Sequence, residues 1–216
     1  MLVLMPQPRL EELIDPSTTA LVTQECQGGV IGPQAGLPAL AEEARREAIP
    51  NIGALLDAAR RAGVTVVHCL MQRRKDGRGS NTNARLFAAA KSFGADLTPG
   101  TPGASVLPEF GPAPEDLVLT RTHGVGPMTG TDLDPVLRNL GIRTIVGVGV
   151  SVNIAIPNFV MDAVNRGYHF VLPRDAVAGY PRDYADAVID NSLALLATVT
   201  TSAQVVDIWR RSATSN

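Results

Sequence analysis

The chain has 216 residues, 45% of them hydrophobic and 19% charged, with a formal net charge of −2. That length suits a single domain over 1–216 with a sizeable core, and the composition is too apolar for intrinsic disorder. A nearly balanced charge leaves no electrostatic footprint for nucleic acid, and no apolar run reaches the roughly 18 residues of a membrane span.

The start, "MLVLM", is apolar but has no basic flank or small-residue cleavage site, so no signal peptide is expected. Cys26 and Cys69 are too few for a disulfide framework and read as buried free thiols. A cytoplasmic protein is the expectation.

In chain order, "TTALVTQEC" (18–26) reads as the first strand, and "PNIGALLDAARRAG" (50–63) as a helix with Pro at its start and Gly at its end. "VTVVHCLM" (64–71) is a strand that leaves into the polar stretch "QRRKDGRGSNTN". The basic cluster there, Arg73-Arg74-Lys75 with Arg78, reads as a solvated loop. A helix is expected over 81–91, then a long Gly/Pro-rich loop that wraps the surface or borders a site.

"DLVLTR" (116–121) is a third strand and "TDLDPVLRNLG" (131–141) a helix, with Thr131 and Asp134 placed as a capping box. "RTIVGVGV" (143–150) is apolar throughout, as in a strand buried on both faces. A helix from about Asn153 ends at Gly167, where a left-handed cap fits. "YHFVLP" (168–173) is a fifth strand, "DYADAVIDNSLALLAT" (183–198) a long helix, and "VTT" a possible edge strand before "SAQVVDIW" (202–209). The alternation predicts a three-layer α/β/α domain around a mainly parallel sheet of five or six strands.

In such sheets, ligands bind beyond the carboxyl ends of the strands. Those ends carry Gln24, Glu25 and Gln27, then His68 and Cys69, then Arg121 and His123, then Ser151 and Asn153. Polar groups from separate strands thus converge on one edge, and that convergence marks the candidate site. A small-molecule ligand is the partner it suits.

Four stretches in order, "TALVTQECQ", "LTRTHGVGPMTGTDLDPVLRNLGIRTIVGVGV", "GVSVNIAI" and "VNRGYHFVLPRDAVAG", resemble the isochorismatase-like superfamily, which includes nicotinamidases and other cysteine amidohydrolases. Cysteine members use an Asp–Lys–Cys triad, and the resemblance puts Glu25 at the acid, Arg121 or Thr122 at the lysine, and Ala155 at the cysteine. Ala cannot attack a carbonyl, and Arg stays charged where a proton has to move. The thioester route is therefore not expected at this position, and neither Cys26 nor Cys69 is placed to replace it. Nicotinamidase-like members carry Asp-x-His after the second strand; here that region reads "HCLMQRRKDGRGS", and His68, His123 and His169 have no short ligand spacing, so no metal or cofactor is expected. The resemblance also implies a homo-oligomer.

What remains is acid catalysis. Isochorismate-cleaving relatives hydrolyse a vinyl ether without cysteine, and Glu25, Arg121 and His123 are the catalytic candidates here. Desolvation at a strand end favours the protonated form of a carboxyl, which suits Glu25 to a general acid. Arg121 can hold a substrate carboxylate or pair with Glu25, and His123 can donate to substrate or shuttle a proton. Gln27, Ser151, Asn153 and Ala155 are the binding candidates, with Asn153 expected to cap the helix that follows. The leading expectation is a cysteine-independent hydrolase of a small metabolite. The alternatives are a catalytically silent homologue that binds a small anionic ligand and an interaction protein with a vestigial cleft.

Overall fold

Apolar strands alternating with amphipathic helices build a sheet whose strand pairings are all parallel. A computed structural model describes residues 8–90 and 92–214. The apolar start at 1–5, and residue 91 at the end of the expected helix 81–91, lie outside the described residues. The strands are β1 (Thr19–Gln24), β2 (Thr65–Met71), β3 (Leu117–Arg121), β4 (Thr144–Val150), β5 (His169–Pro173), β6 (Val177–Ala178) and β7 (Thr198–Thr200). The helices are α1 (Leu10–Leu13), α2 (Gly28–Ile31), α3 (Pro38–Glu43), α4 (Ile49–Ala62), α5 (Arg85–Ala89), α6 (Leu133–Asn139), α7 (Ala155–Asn165), α8 (Arg182–Asn191) and α9 (Ser202–Thr214).

The sheet has seven strands in the order β3-β2-β1-β4-β5-β7, with β6 paired to the end of β4. It therefore exceeds the expected five or six, because the two-residue β6 is too short to show any period. β7 is the expected edge strand, shifted by one residue. β4 is central and every residue in it is buried, whereas β3, at the edge, alternates between half-buried and exposed until Arg121.

Successive side chains on a strand point to opposite faces. Leu21, Val66, Val146 and Val148 pack with Leu55 and Leu56 of α4 and Val205 and Trp209 of α9. Ala20, Val22, Val67 and Ile145 pack with Leu133 and Leu137 of α6, Ile156 and Phe159 of α7, and Ala185 and Ile189 of α8. The Trp209 indole N–H, buried with its ring, donates to the Ile14 carbonyl at 3.0 Å.

Three local expectations need correction. The helix expected at 81–91 shrinks to α5, because Asn81 and Asn83 spend their side chains on each other and on the Gly124 N–H. The helix expected over 183–198 stops at Asn191; a short turn at Leu193–Leu195 buries Leu193, leaves Leu195 82% exposed and redirects the chain into β7. The capping box does not form. Thr131 instead donates to the Pro127 carbonyl and accepts from the Leu133 N–H, while Asp134 accepts from the Tyr168 hydroxyl at 2.9 Å.

Strand order places the site. The chain steps outward from β1 to β2 and β3, then resumes with β4 on the other side of β1. The switch point is the crevice beyond the carboxyl ends of β1 and β4. Gly149 lets those two ends close up: its φ is +111°, and a Cβ there would lie 2.2 Å from the Gln24 carbonyl oxygen.

Candidate active site

Glu25 is the first residue beyond β1, and its backbone N–H donates to the Cys69 carbonyl at 2.9 Å. Its φ of +54° puts a non-glycine residue in the left-handed region, the one such case among the described residues. Strain of this kind persists where surrounding contacts enforce it, and it clusters at functional positions. The Glu25 Oε1 accepts from the Arg121 Nη2 in an ion pair whose side chains are 18% and 3% exposed. Arg121 reaches this carboxylate from the end of β3, across β2. Its Nε and Nη1 are buried without a hydrogen-bond partner among the described residues.

Beyond β4, the chain turns through residues 151–154 into α7. The Ile154 and Ile156 N–H groups both donate to the Ser151 carbonyl, and the Val152 N–H donates to the Ala178 carbonyl. The Ala155 N–H is left without an acceptor among the described residues. An unpaired donor at the start of a helix suits an anionic oxygen.

Glu25, Ser151 and Ala155 line one cavity of about 160 Å³. Its other walls are largely apolar, with Leu40 from α3, Phe87 from α5, and Phe93 and Leu97 from the loop after α5. Arg73 also lines it. That residue belongs to the basic cluster read as a solvated loop, and it departs from that reading. Arg74 does lie at the surface and pairs with Asp76, but Arg73 is half-buried. The Arg73 N–H donates to the Leu97 carbonyl and its Nη1 to the Ala90 carbonyl, each at 2.9 Å. Its Nε is buried with no partner among the described residues.

The remaining candidates are placed elsewhere. Gln27 is fully buried and bonds only to backbone: it accepts from the Met71 N–H at 2.7 Å and donates to the Met71 and Gly103 carbonyls. Its amide ties the end of β2 to the loop at Gly103, so its role here is structural. Asn153 does not cap α7; its amide grips the Tyr180 backbone through both the carbonyl and the N–H. His123 is exposed, its ring against the Gly130 carbonyl at 3.2 Å, and is not among the cavity-lining residues. The residues after it, Gly124 and Val125, do line the cavity, with the Gly124 N–H bonded to the Asn81 side chain. His68 lies in the middle of β2 rather than at its end, fully buried.

Neither thiol is a spare nucleophile. Burial pushes Cys26 well above the ordinary thiol range, with the Glu25 charge adding to the shift. Burial likewise pushes Cys69 up to about 12, although Arg121 pulls it down. Both therefore stay protonated near neutral pH, as inert core thiols do. Among the described residues, no three His, Cys, Asp or Glu side chains gather in a group that can hold a metal ion.

The family model described as the isochorismatase domain matches residues 19–204. A ureidoacrylate amidohydrolase from Agrobacterium fabrum is 31% identical over 176 residues, covering 76% of this chain and 77% of that protein. An uncharacterized isochorismatase family protein from Bacillus subtilis is 27% identical over 179 residues, covering 82% of this chain and 86% of the relative. A cysteine hydrolase structure from Pseudomonas syringae superposes with a TM-score of 0.82 at 24% identity, over 96% of this chain and 100% of the other, a likeness of fold. An isochorismatase family protein from Burkholderia thailandensis gives 0.70 at 26% identity, over 90% and 96%.

Proposed function

The chain belongs to the isochorismatase family, and on that premise we propose that it is a hydrolase of a small amide-type metabolite, acting without a cysteine nucleophile. The observation that carries this reading is Glu25, held in left-handed backbone at the cavity wall with one carboxylate oxygen on Arg121. The sequence reading makes Glu25 a resident acid. Opposite a guanidinium that does not give up its proton, a carboxylate that first accepts a proton and later returns it is the better-supported role.

Water attacks the substrate carbonyl carbon while the free oxygen of Glu25 takes its proton. The negative charge that develops on the carbonyl oxygen is met by the Ala155 N–H. Glu25 then hands the proton to the leaving nitrogen as the carbon–nitrogen bond breaks, giving a carboxylic acid and an amine. Arg121 keeps the carboxylate oriented throughout. The amidohydrolase name of the Agrobacterium relative supports an amide-type substrate.

The alternative is a silent homologue that binds a small ligand in the same cavity, favoured by the methyl group of Ala155 and the largely apolar walls. A panel of amides, ureides and enol ethers of small carboxylic acids, assayed with wild type and Glu25→Gln, separates the two. The hydrolase reading expects wild-type turnover reduced by about a hundredfold or more in Glu25→Gln. Undiminished turnover in Glu25→Gln eliminates the proposed route. No wild-type turnover across the panel favours the silent binder.

A further inference from the structure

We propose that Arg73 is the carboxylate anchor of this cavity, and that its ligands are compact monocarboxylic acids with an apolar body. Placing that ligand as the substrate rests on the hydrolase reading above; the anchor itself does not.

The Arg73 guanidinium is held by the chain's own backbone. Its Nη1 is occupied by the Ala90 carbonyl, and the Arg73 backbone is tied to Leu97, so the residue is fastened at both ends to the segment that walls the cavity. Nε has no partner, and Nη2 donates to none of the described residues. Nε is sealed from the cavity, so Nη2 is the nitrogen that keeps accessible surface, and it offers an anionic oxygen a charge-assisted N–H bond. A guanidinium fixed through Nη1 with Nη2 unspent is organised for an anionic oxygen before any ligand arrives.

The charge balance of the cavity points the same way. Glu25 is neutralised by Arg121, and no carboxylate among the described residues pairs with Arg73. Arg73 is thus the cavity's unmatched charge, and it calls for one negative charge on the ligand. Leu40, Phe87, Phe93 and Leu97 offer the rest of the molecule only apolar contact. Arg121, which the sequence leaves as either a carboxylate anchor or the partner of Glu25, has its charge matched by Glu25.

The test uses inert probes, so that binding is read apart from turnover. Benzoate and its neutral counterpart benzamide are titrated against the full chain by calorimetry. Wild type is compared with Arg73→Met, Arg73→Lys and Glu25→Gln, each first checked by thermal unfolding. The expected result is benzoate bound at least about tenfold more tightly than benzamide. Arg73→Met should lose that preference, while Arg73→Lys, which keeps the charge but loses the planar group held by the Ala90 carbonyl, retains part of it. Glu25→Gln should keep benzoate binding, so loss of the hydrolase reading and loss of the anchor stay distinguishable. Equal binding of benzoate and benzamide, no benzoate binding by wild type, or unchanged benzoate affinity in a folded Arg73→Met would each overturn the proposal.

Discussion

At the amino end of β3, Asp116 meets Arg60; at its carboxyl end, Arg121 meets Glu25. Both pairs join an acid to an arginine across the same edge of the sheet, but only the first is fully satisfied. Asp116 accepts from Arg60 through both oxygens, from the Ala113 N–H at 2.8 Å and from the His68 Nε2 at 3.3 Å. The His68 Nδ1 lies 2.9 Å from the Thr23 hydroxyl. A neutral ring donating from Nε2 and accepting at Nδ1 satisfies every bond in that chain. At the other end, Arg121 leaves two nitrogens unpaired and Glu25 holds a strained backbone. Buried polar groups are normally satisfied, and exceptions with backbone strain mark places where function outweighs stability. The first pair is satisfied within the fold, and the second keeps the unpaired donors and strained backbone that suit the role proposed for it.

Replacing each arginine should expose that difference most strongly. Arg60→Met strands the buried Asp116 charge and should cost about 3 kcal/mol in urea unfolding. Arg121→Met should cost about 1 kcal/mol, because Glu25 keeps access to cavity water and two unpaired donors leave with the arginine. Equal costs would break the comparison.

A smaller effect concerns pH. Burial lowers the His68 pKa, with the Asp116 bond and charge opposing it. Burial also disfavours the charge on Asp116, but bonds from Arg60 and the Ala113 N–H outweigh it and hold that carboxyl below its usual range. Below about pH 6.5, unfolded chains take up a proton at His68 that folded chains do not. Stability is therefore fully present above that pH and falls as pH drops through the window down to the folded pKa. Urea melts between about pH 7.5 and 5 should show this slope, and His68→Gln should flatten it. The smallest effect is expected from Ala155→Cys. It should yield no strong amidase activity on the same panel, because the thiol would stand without the lysine of the family's triad, whose members act as a unit.

Much of this was legible in the chain. The apolar run read at 143–150 gave the strand found at Thr144–Val150, buried throughout, and strand ends gave Glu25, Arg121 and the turn before Ala155. The family was legible from the motifs around that turn. Arg73 was not legible, because the Ala90 and Leu97 carbonyls that hold it lie far along the chain, beyond the reach of a local pattern; within a basic run it looked like its neighbours. Asn153 carried a helix-capping residue type, yet a partner distant in sequence, Tyr180, took its amide. Gln27 stood near a strand end, but backbone groups distant in sequence, at Met71 and Gly103, took its amide. Propensity reads local bonds; these assignments were decided by long-range ones.

The most direct test measures turnover and unfolding free energy together for Glu25→Gln and Asp116→Asn. The account expects a crossed result. Glu25→Gln should lose about a hundredfold or more in turnover with a small change in stability, while Asp116→Asn should be clearly destabilised yet retain near-wild-type turnover wherever it is folded. Turnover that survives in Glu25→Gln, or that fails in folded Asp116→Asn, would contradict the assignment of function to the one pair and stability to the other.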